Sequence, residues 1–136
     1  MIAIKLDDED EVVNVAVCND NDHVLLASNF GKAIRFPVKT VRVFKSRTSD
    51  GVRGMRLSDK DFVISMAIIK GTEYTQDEKE KYLSIPFEKR FNIANNENEH
   101  IEDELGGDLS NGKIIAMAKD EQFILSVSAN GYGKRT

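Results

Sequence analysis

No run of apolar residues in this sequence approaches the roughly 20 needed to cross a bilayer, and Met1 to Asp10 lacks a basic stretch leading into an apolar one. A membrane span and an export signal are therefore not expected, and the expected location is the cytoplasm. The single cysteine, Cys18, excludes an internal disulfide and suits a reducing compartment. It lies in an apolar run without a neighbouring histidine, so a buried structural thiol is expected rather than a nucleophile. His23 and His100 have no second histidine or cysteine at ligand spacing and read as non-ligands. The acid run Asp7 to Glu11 lacks the glycine and the spaced final glutamate of a calcium loop, which makes it a solvated turn. No nucleophile–base pair and no metal cluster is discernible, so catalytic residues, metal ligands and cofactors are all expected to be absent from this stretch of chain.

What is present is one small domain's worth of chain, 136 residues that are 40% hydrophobic and 31% charged. The net charge of −4 conceals two regions of opposite sign. Between Lys32 and Arg56 lie eight bases and one acid, Asp50, a balance of +7. From Thr72 to Gln122 there are 13 acids against six bases, a balance of −7, so the acidity belongs to one segment.

Outside that segment, short apolar runs alternate with a period of two between turn residues, the pattern of antiparallel strands. In Phe62 to Ile69 the large residues Phe62, Ile64, Met66 and Ile68 share a face that a second layer can bury. Val13, Val15 and Val17 form a similar row. Two strand-like runs between Val24 and Phe36 flank Asn29-Phe30-Gly31, where glycine can take the positive φ of a tight hairpin. The hairpin recurs near the end: Ala27 to Gly31 set over Val127 to Gly131 aligns Ser28 with Ser128, Gly31 with Gly131 and Arg35 with Arg135, all at an offset of 100 residues. A repeated β unit follows, of the blade-like kind.

The acidic segment reads as helical. Thr75 offers a capping hydroxyl with Asp77 and Glu78 in the first turn. Pro86 forces a break near Ser84, which is expected to cap a second helix through Phe87 and Phe91. Residues 92–108 carry six acids, no lysine or arginine, and the pair Gly106-Gly107, as an exposed loop would. A third helix is expected from Ser110, with Ile114, Met117 and Ala118 on one face. The insertion is placed at about residues 72–115 of a single domain spanning 1–136.

Two strings carry a resemblance. Asn130-Gly131-Tyr132-Gly133-Lys134-Arg135-Thr136 resembles a segment of the C-terminal, DNA-wrapping domain of the DNA gyrase A subunit, and Gly51-Val52-Arg53-Gly54-Met55-Arg56-Leu57 is similar to the Gly-Val-Arg-Gly-x-x-Leu element recurring in its blades. Their order along the chain also fits that family, some of whose members carry a helical insertion where residues 72–122 lie. The resemblance implies a mainly β fold, a partial β-pinwheel of propeller-like antiparallel blades with an inserted helical segment. About half a dozen four-stranded blades make up the family's domain; about two would fall here, the last short of strands.

The resemblance further implies duplex DNA as partner, held non-specifically on a basic outer rim in support of ATP-dependent negative supercoiling. It implies two companions, the gyrase B subunit and a second A subunit, in a cytoplasmic, nucleoid-associated holoenzyme whose ATP and magnesium are used by other domains. The tyrosine that cleaves DNA in that enzyme follows an arginine, whereas Tyr74, Tyr82 and Tyr132 follow Glu73, Lys81 and Gly131. The family's glutamine-, arginine- and glycine-rich wrapping box is not found in the sequence. Phosphate neutralisation needs exposed lysines and arginines, and Lys32, Arg35, Arg42, Lys45, Arg47 and Arg53, with Lys134 and Arg135 of the second repeat, are the candidates. Two alternatives stand beside this reading: a protein-interaction or regulatory module working through the acidic helices, and the related domain of the topoisomerase IV A subunit.

Overall fold

A computed structural model describes residues 4–45, 49–95 and 105–136. The chain divides into two compact units, Met1–Thr72 and Glu73–Thr136. Strands β1 (His23–Ser28), β2 (Ala33–Pro37) and β3 (Val63–Ile69) build the first, and helices α1 (Gln76–Ser84), α2 (Phe87–Asn95) and α3 (Asn111–Asp120) precede strands β4 (Leu125–Val127) and β5 (Gly133–Arg135) in the second.

In the first unit β1 is central, antiparallel to both neighbours in the order β2-β1-β3. The expected hairpin closes as its residues dictate: Ser28 and Gly31 donate their amides to the carbonyls of Lys32 and Ser28, Gly31 sits at φ +81°, and the buried Ser28 hydroxyl accepts from the Lys32 amide at 3.2 Å. The register pairs Val24 with Phe36 and Ile68, and Leu26 with Ile34 and Met66, which puts an apolar set on one side of the pleat. Arg35 stands on the other side, opposite Leu25 and level with Ala67.

Two aspartates staple the ends of this sheet. Asp61 accepts the Phe30 and Phe62 amides at 3.0 and 3.1 Å, while the Asn29 amide bonds the Phe62 carbonyl, so the hairpin tip is tied to β3. Burial works against the charge on Asp61, but hydrogen bonds from Phe30, Ser28 and Phe62 together hold its carboxyl below the usual range. At the opposite end Asp22 accepts the Asn19 amide at 2.8 Å and the Gly71 amide at 3.2 Å, and these backbone bonds lower its pKa. Gly71 is required there, because a Cβ would fall 1.6 Å from the Asn21 carbonyl oxygen.

Several expectations for this unit are corrected. The row Val13, Val15, Val17 forms no strand, and Val15 and Val17 are 81% and 99% exposed. Alternation supplies a face but not a partner, and the outer edge of β3 receives from this stretch the Asn14 side chain, at 3.4 Å from the Met66 carbonyl, rather than a backbone ladder. Cys18 in the same stretch is exposed, not buried. Phe62 and Ile64 stay half exposed, since the cover over the sheet falls elsewhere: the chain crosses at Gly54, where a Cβ would lie 2.7 Å from Leu26 Cδ1 and 3.8 Å from Phe36.

The second unit is built around Tyr82, Ile85, Ile93, Ile114, Met117 and Ala118, so the expected face of α3 is its core face. A capping box opens α1, with Glu78 donating its amide to the Thr75 hydroxyl and accepting the Thr75 amide at its carboxylate. The break falls at Ile85-Pro86, but Ser84 does not cap α2. It remains the last residue of α1 and donates its hydroxyl to the Lys81 carbonyl at 2.6 Å, while the Pro86 carbonyl accepts from the Arg90 amide. Gly106, at φ +79°, lets the returning chain lie against Ile85 and Ile114. The β4–β5 hairpin then repeats the first turn bond for bond: Ser128 and Gly131 donate to the carbonyls of Tyr132 and Ser128, the Tyr132 amide donates to the Ser128 hydroxyl, and Gly131 has φ +83°. Among the described residues no helix is long and apolar enough to cross a membrane.

Candidate nucleic-acid interface

The basic side chains proposed from the sequence are carried by different parts of the first unit. Lys32 leaves the hairpin turn, exposed, with its ammonium donating to the Ser58 hydroxyl at 2.8 Å. Arg35 projects from the middle of β2, Arg42 and Lys45 from the coil after it, and Arg53 beside Gly54 on the segment crossing the apolar side of the sheet; all are exposed. The Arg42 guanidinium lies 4.4 Å over the Phe44 ring, which fixes its plane without neutralising it. Arg47 lies outside the described residues. These cations are not gathered on one face: Arg35 and the Gly54 crossing are on opposite sides of the sheet. They are spread over both sides of it.

Lys32 is near enough to Asp61 to favour its charged form. Among the described residues none of Lys32, Arg35, Arg42, Lys45 and Arg53 has a carboxylate within ion-pairing distance; the first-unit pair found is Lys5 with Asp50 at 3.9 Å. The helical segment differs. Lys81 is held by Asp77 at 2.7 Å and Asp108 at 2.6 Å, Arg90 by Glu121 at 3.1 Å, and Lys113 by Glu78. Lys113 and Lys81 in turn hold the carboxyls of Glu78 and Asp108 below their ordinary range. Four of the segment's acids, Asp77, Glu78, Asp108 and Glu121, are thus met by its own bases.

Lys134 and Arg135 belong to β5 and point to opposite sides of the second hairpin, Lys134 opposite Ser126 and Arg135 opposite Leu125. Lys134 is exposed and has no ion-pair partner among the described residues. The Arg135 guanidinium lies over two rings, 4.9 Å from the Phe123 centroid and 5.1 Å from that of Phe87. No sequence signal announced this cluster, because Phe87 and Phe123 are far from Arg135 along the chain.

Two of the tyrosines are hydrogen-bonded to carboxylates and the third is exposed. Tyr82 is buried, donating to Glu121 at 2.6 Å, and burial together with that bond raises its pKa. Tyr74 donates to Asp120 at 2.6 Å, a bond that pushes its phenol up to about 12. Tyr132 is 80% exposed. The acid run closes as a turn, the Asp10 amide donating to the Asp7 carbonyl, and no group of His, Cys, Asp and Glu placed to hold a metal occurs among the described residues.

The two Ser-Gly hairpins, the three-stranded sheet and the Gly54 crossing lie within the residues that match a known family. Residues 1–19, 22–70 and 122–136 match the DNA gyrase C-terminal domain, a β-propeller. The chain belongs to this family. Its two antiparallel sheets are parts of propeller blades, and the family match passes over residues 71–121, where the three helices lie. Similar proteins include the DNA gyrase A subunit of Rickettsia bellii, 53% identical over 135 residues, covering 99% of this chain and 15% of that protein. That of Rickettsia felis is 50% identical with the same coverage. The corresponding protein of Granulibacter bethesdensis is 36% identical over 148 residues, covering 100% of this chain and 16% of its own length. The chain therefore spans about a sixth of these relatives, helices included.

Proposed function

We propose that this chain binds duplex DNA without sequence selection, as part of the wrapping domain of a gyrase A subunit that supports ATP-dependent negative supercoiling in the cytoplasm. The companions this reading requires are the B subunit and a second copy of the full-length A subunit, with ATP, magnesium and strand cleavage handled by other parts of the assembly. The observation that supports it is the set of exposed cations of the first unit that have no ion-paired carboxylate among the described residues, Lys32, Arg35, Arg42, Lys45 and Arg53, joined by Lys134; Arg47 completes the set from the sequence. Each cation that meets a phosphate releases condensed counterions, and the gain is independent of base identity. Cations spread in this way need no flat face, because a bent duplex can meet them at successive phosphates.

Fluorescence anisotropy of a labelled duplex at several salt concentrations tests the reading. Four to six phosphate contacts give a log–log slope of about −4 to −5, the same for unrelated sequences. Undetectable binding at low salt, or binding indifferent to salt, contradicts it. The related reading of a topoisomerase IV domain is disfavoured by the similarity to gyrase proteins.

A further inference from the structure

The two hairpins share a turn, a register and an arginine, yet the two arginines have different surroundings. Arg35 faces Leu25 across the first hairpin and Arg135 faces Leu125 across the second. Among the described residues no ring lies over Arg35. Arg135 covers Phe123 and Phe87, whose rings meet edge-on with centroids 5.8 Å apart. Phe87 is also approached by Arg90, whose guanidinium lies 5.9 Å from the ring centroid. Arg90 is fixed in turn, donating to the carbonyls of Leu83 and Ile85 at 3.2 Å each and pairing with Glu121 at 3.1 Å. The chain from α2 to the hairpin is therefore joined through one aromatic ring contacted by two guanidinium groups. Phe87 belongs to α2, Phe123 to the strand approach after α3, and Arg135 to β5.

We propose that Arg135 is a positioning residue that docks the helical segment onto the β4–β5 hairpin, so that the second copy of the hairpin arginine serves the fold while the first, Arg35, serves DNA. The flat, weakly hydrated guanidinium is the group suited to this, since it stacks on ring faces where an ammonium keeps its water. The same contact sets the reach of the hairpin's basic side: Lys134, on the opposite face, stays free for phosphate. This inference rests on the DNA-binding reading for its second half and on the cluster geometry alone for its first.

Parallel measurements on the chain separate the two halves. Arg135→Ala is expected to lower the thermal midpoint by several degrees and leave the salt slope of duplex binding unchanged, whereas Arg35→Ala makes the slope shallower by about 0.9 at an unchanged midpoint. Arg135→Lys, which keeps the charge, is expected to lose most of the same thermal stability while binding like the parent chain. Phe87→Leu should lower the midpoint too, and combining it with Arg135→Ala should cost less than the sum of the two, as interacting neighbours do. A slope reduced by Arg135→Ala as much as by Arg35→Ala, full thermal rescue by Arg135→Lys, or strict additivity with Phe87→Leu overturns the proposal. If the parent chain binds no duplex even at low salt, the DNA reading fails by itself, and the thermal cycle of Arg135 with Phe87 still decides the docking role.

Discussion

The two units carry cations of the same chemical types and use them differently. In the first, Lys32, Arg35, Arg42, Lys45 and Arg53 stand exposed without an ion-paired carboxylate among the described residues; in the second, Lys81, Arg90 and Lys113 are each engaged by acids of the same unit. The net charge of a segment is thus a poor guide to what its charges do. Exposed ion pairs add little stability individually, roughly 0–1 kcal/mol, but they cancel the field that would otherwise reach a polyanion. Unpaired cations cost the first unit some self-repulsion and leave its field available to phosphate.

The largest effects expected from dissecting this contrast concern the core. Ile114 is fully buried, and Ile114→Ala should destabilise the second unit by about 2–5 kcal/mol, which calorimetry of the whole chain would register as a lowered transition midpoint. Next in size is the pair of turn serines. Ser28 is buried and Ser128 exposed; both hydroxyls accept the amide four residues on, and Ser28 also bonds the Asp61 carboxyl. Ser28→Ala should cost about 1–2 kcal/mol by removing a partner from the buried Asp61 carboxyl and from the Lys32 amide, and Ser128→Ala clearly less, as denaturant midpoints of the two variants would show. Equal costs would mean that burial does not distinguish the hairpins.

Acid should act on both units. The carboxyls of Asp22 and Asp61 in the first, and of Glu78 and Asp108 in the second, titrate below their ordinary values when folded. A group with a depressed folded pKa contributes stability that is complete above its unfolded value, near about 4, and is lost as the pH falls through the folded value. Thermal midpoints should therefore be flat above pH ~5 and fall below pH ~4, and the fall should be smaller in Asp22→Asn and Asp61→Asn chains, which start lower. The smallest expected effect is that of Lys113→Gln on DNA binding: its charge is already met by Glu78, so the salt slope should not move.

Much of this was legible in the sequence where a residue dictates its own local geometry. The Ser-x-x-Gly turns, the Thr75–Glu78 cap and the 3.6-residue spacing of Ile114, Met117 and Ala118 were each readable because the partner groups are within a few residues. What was hidden depends on distant chain. Val13 to Val17 has the alternation of a strand, but only a neighbouring strand edge could complete it. Cys18 shares that fate. Asp22 and Asp61, which staple the sheet, carry no sequence signal, since their partners Gly71 and Phe30 lie 49 and 31 residues away. Of the candidate contacts, exposure was predictable from charge, whereas the divergence of Arg35 and Arg135 was not, because an aromatic ring over a guanidinium leaves no mark at the arginine itself.

The most direct test of the contrast is a salt titration of duplex binding by three chains: the parent, one with Arg35, Arg42 and Arg53 changed to Gln, and one with Lys81 and Lys113 changed to Gln. The account predicts a slope shallower by roughly 2.7 for the first variant, three phosphates at about 0.9 each, and a parental slope for the second. A parental slope for the first variant, or an equal loss in both, would contradict it.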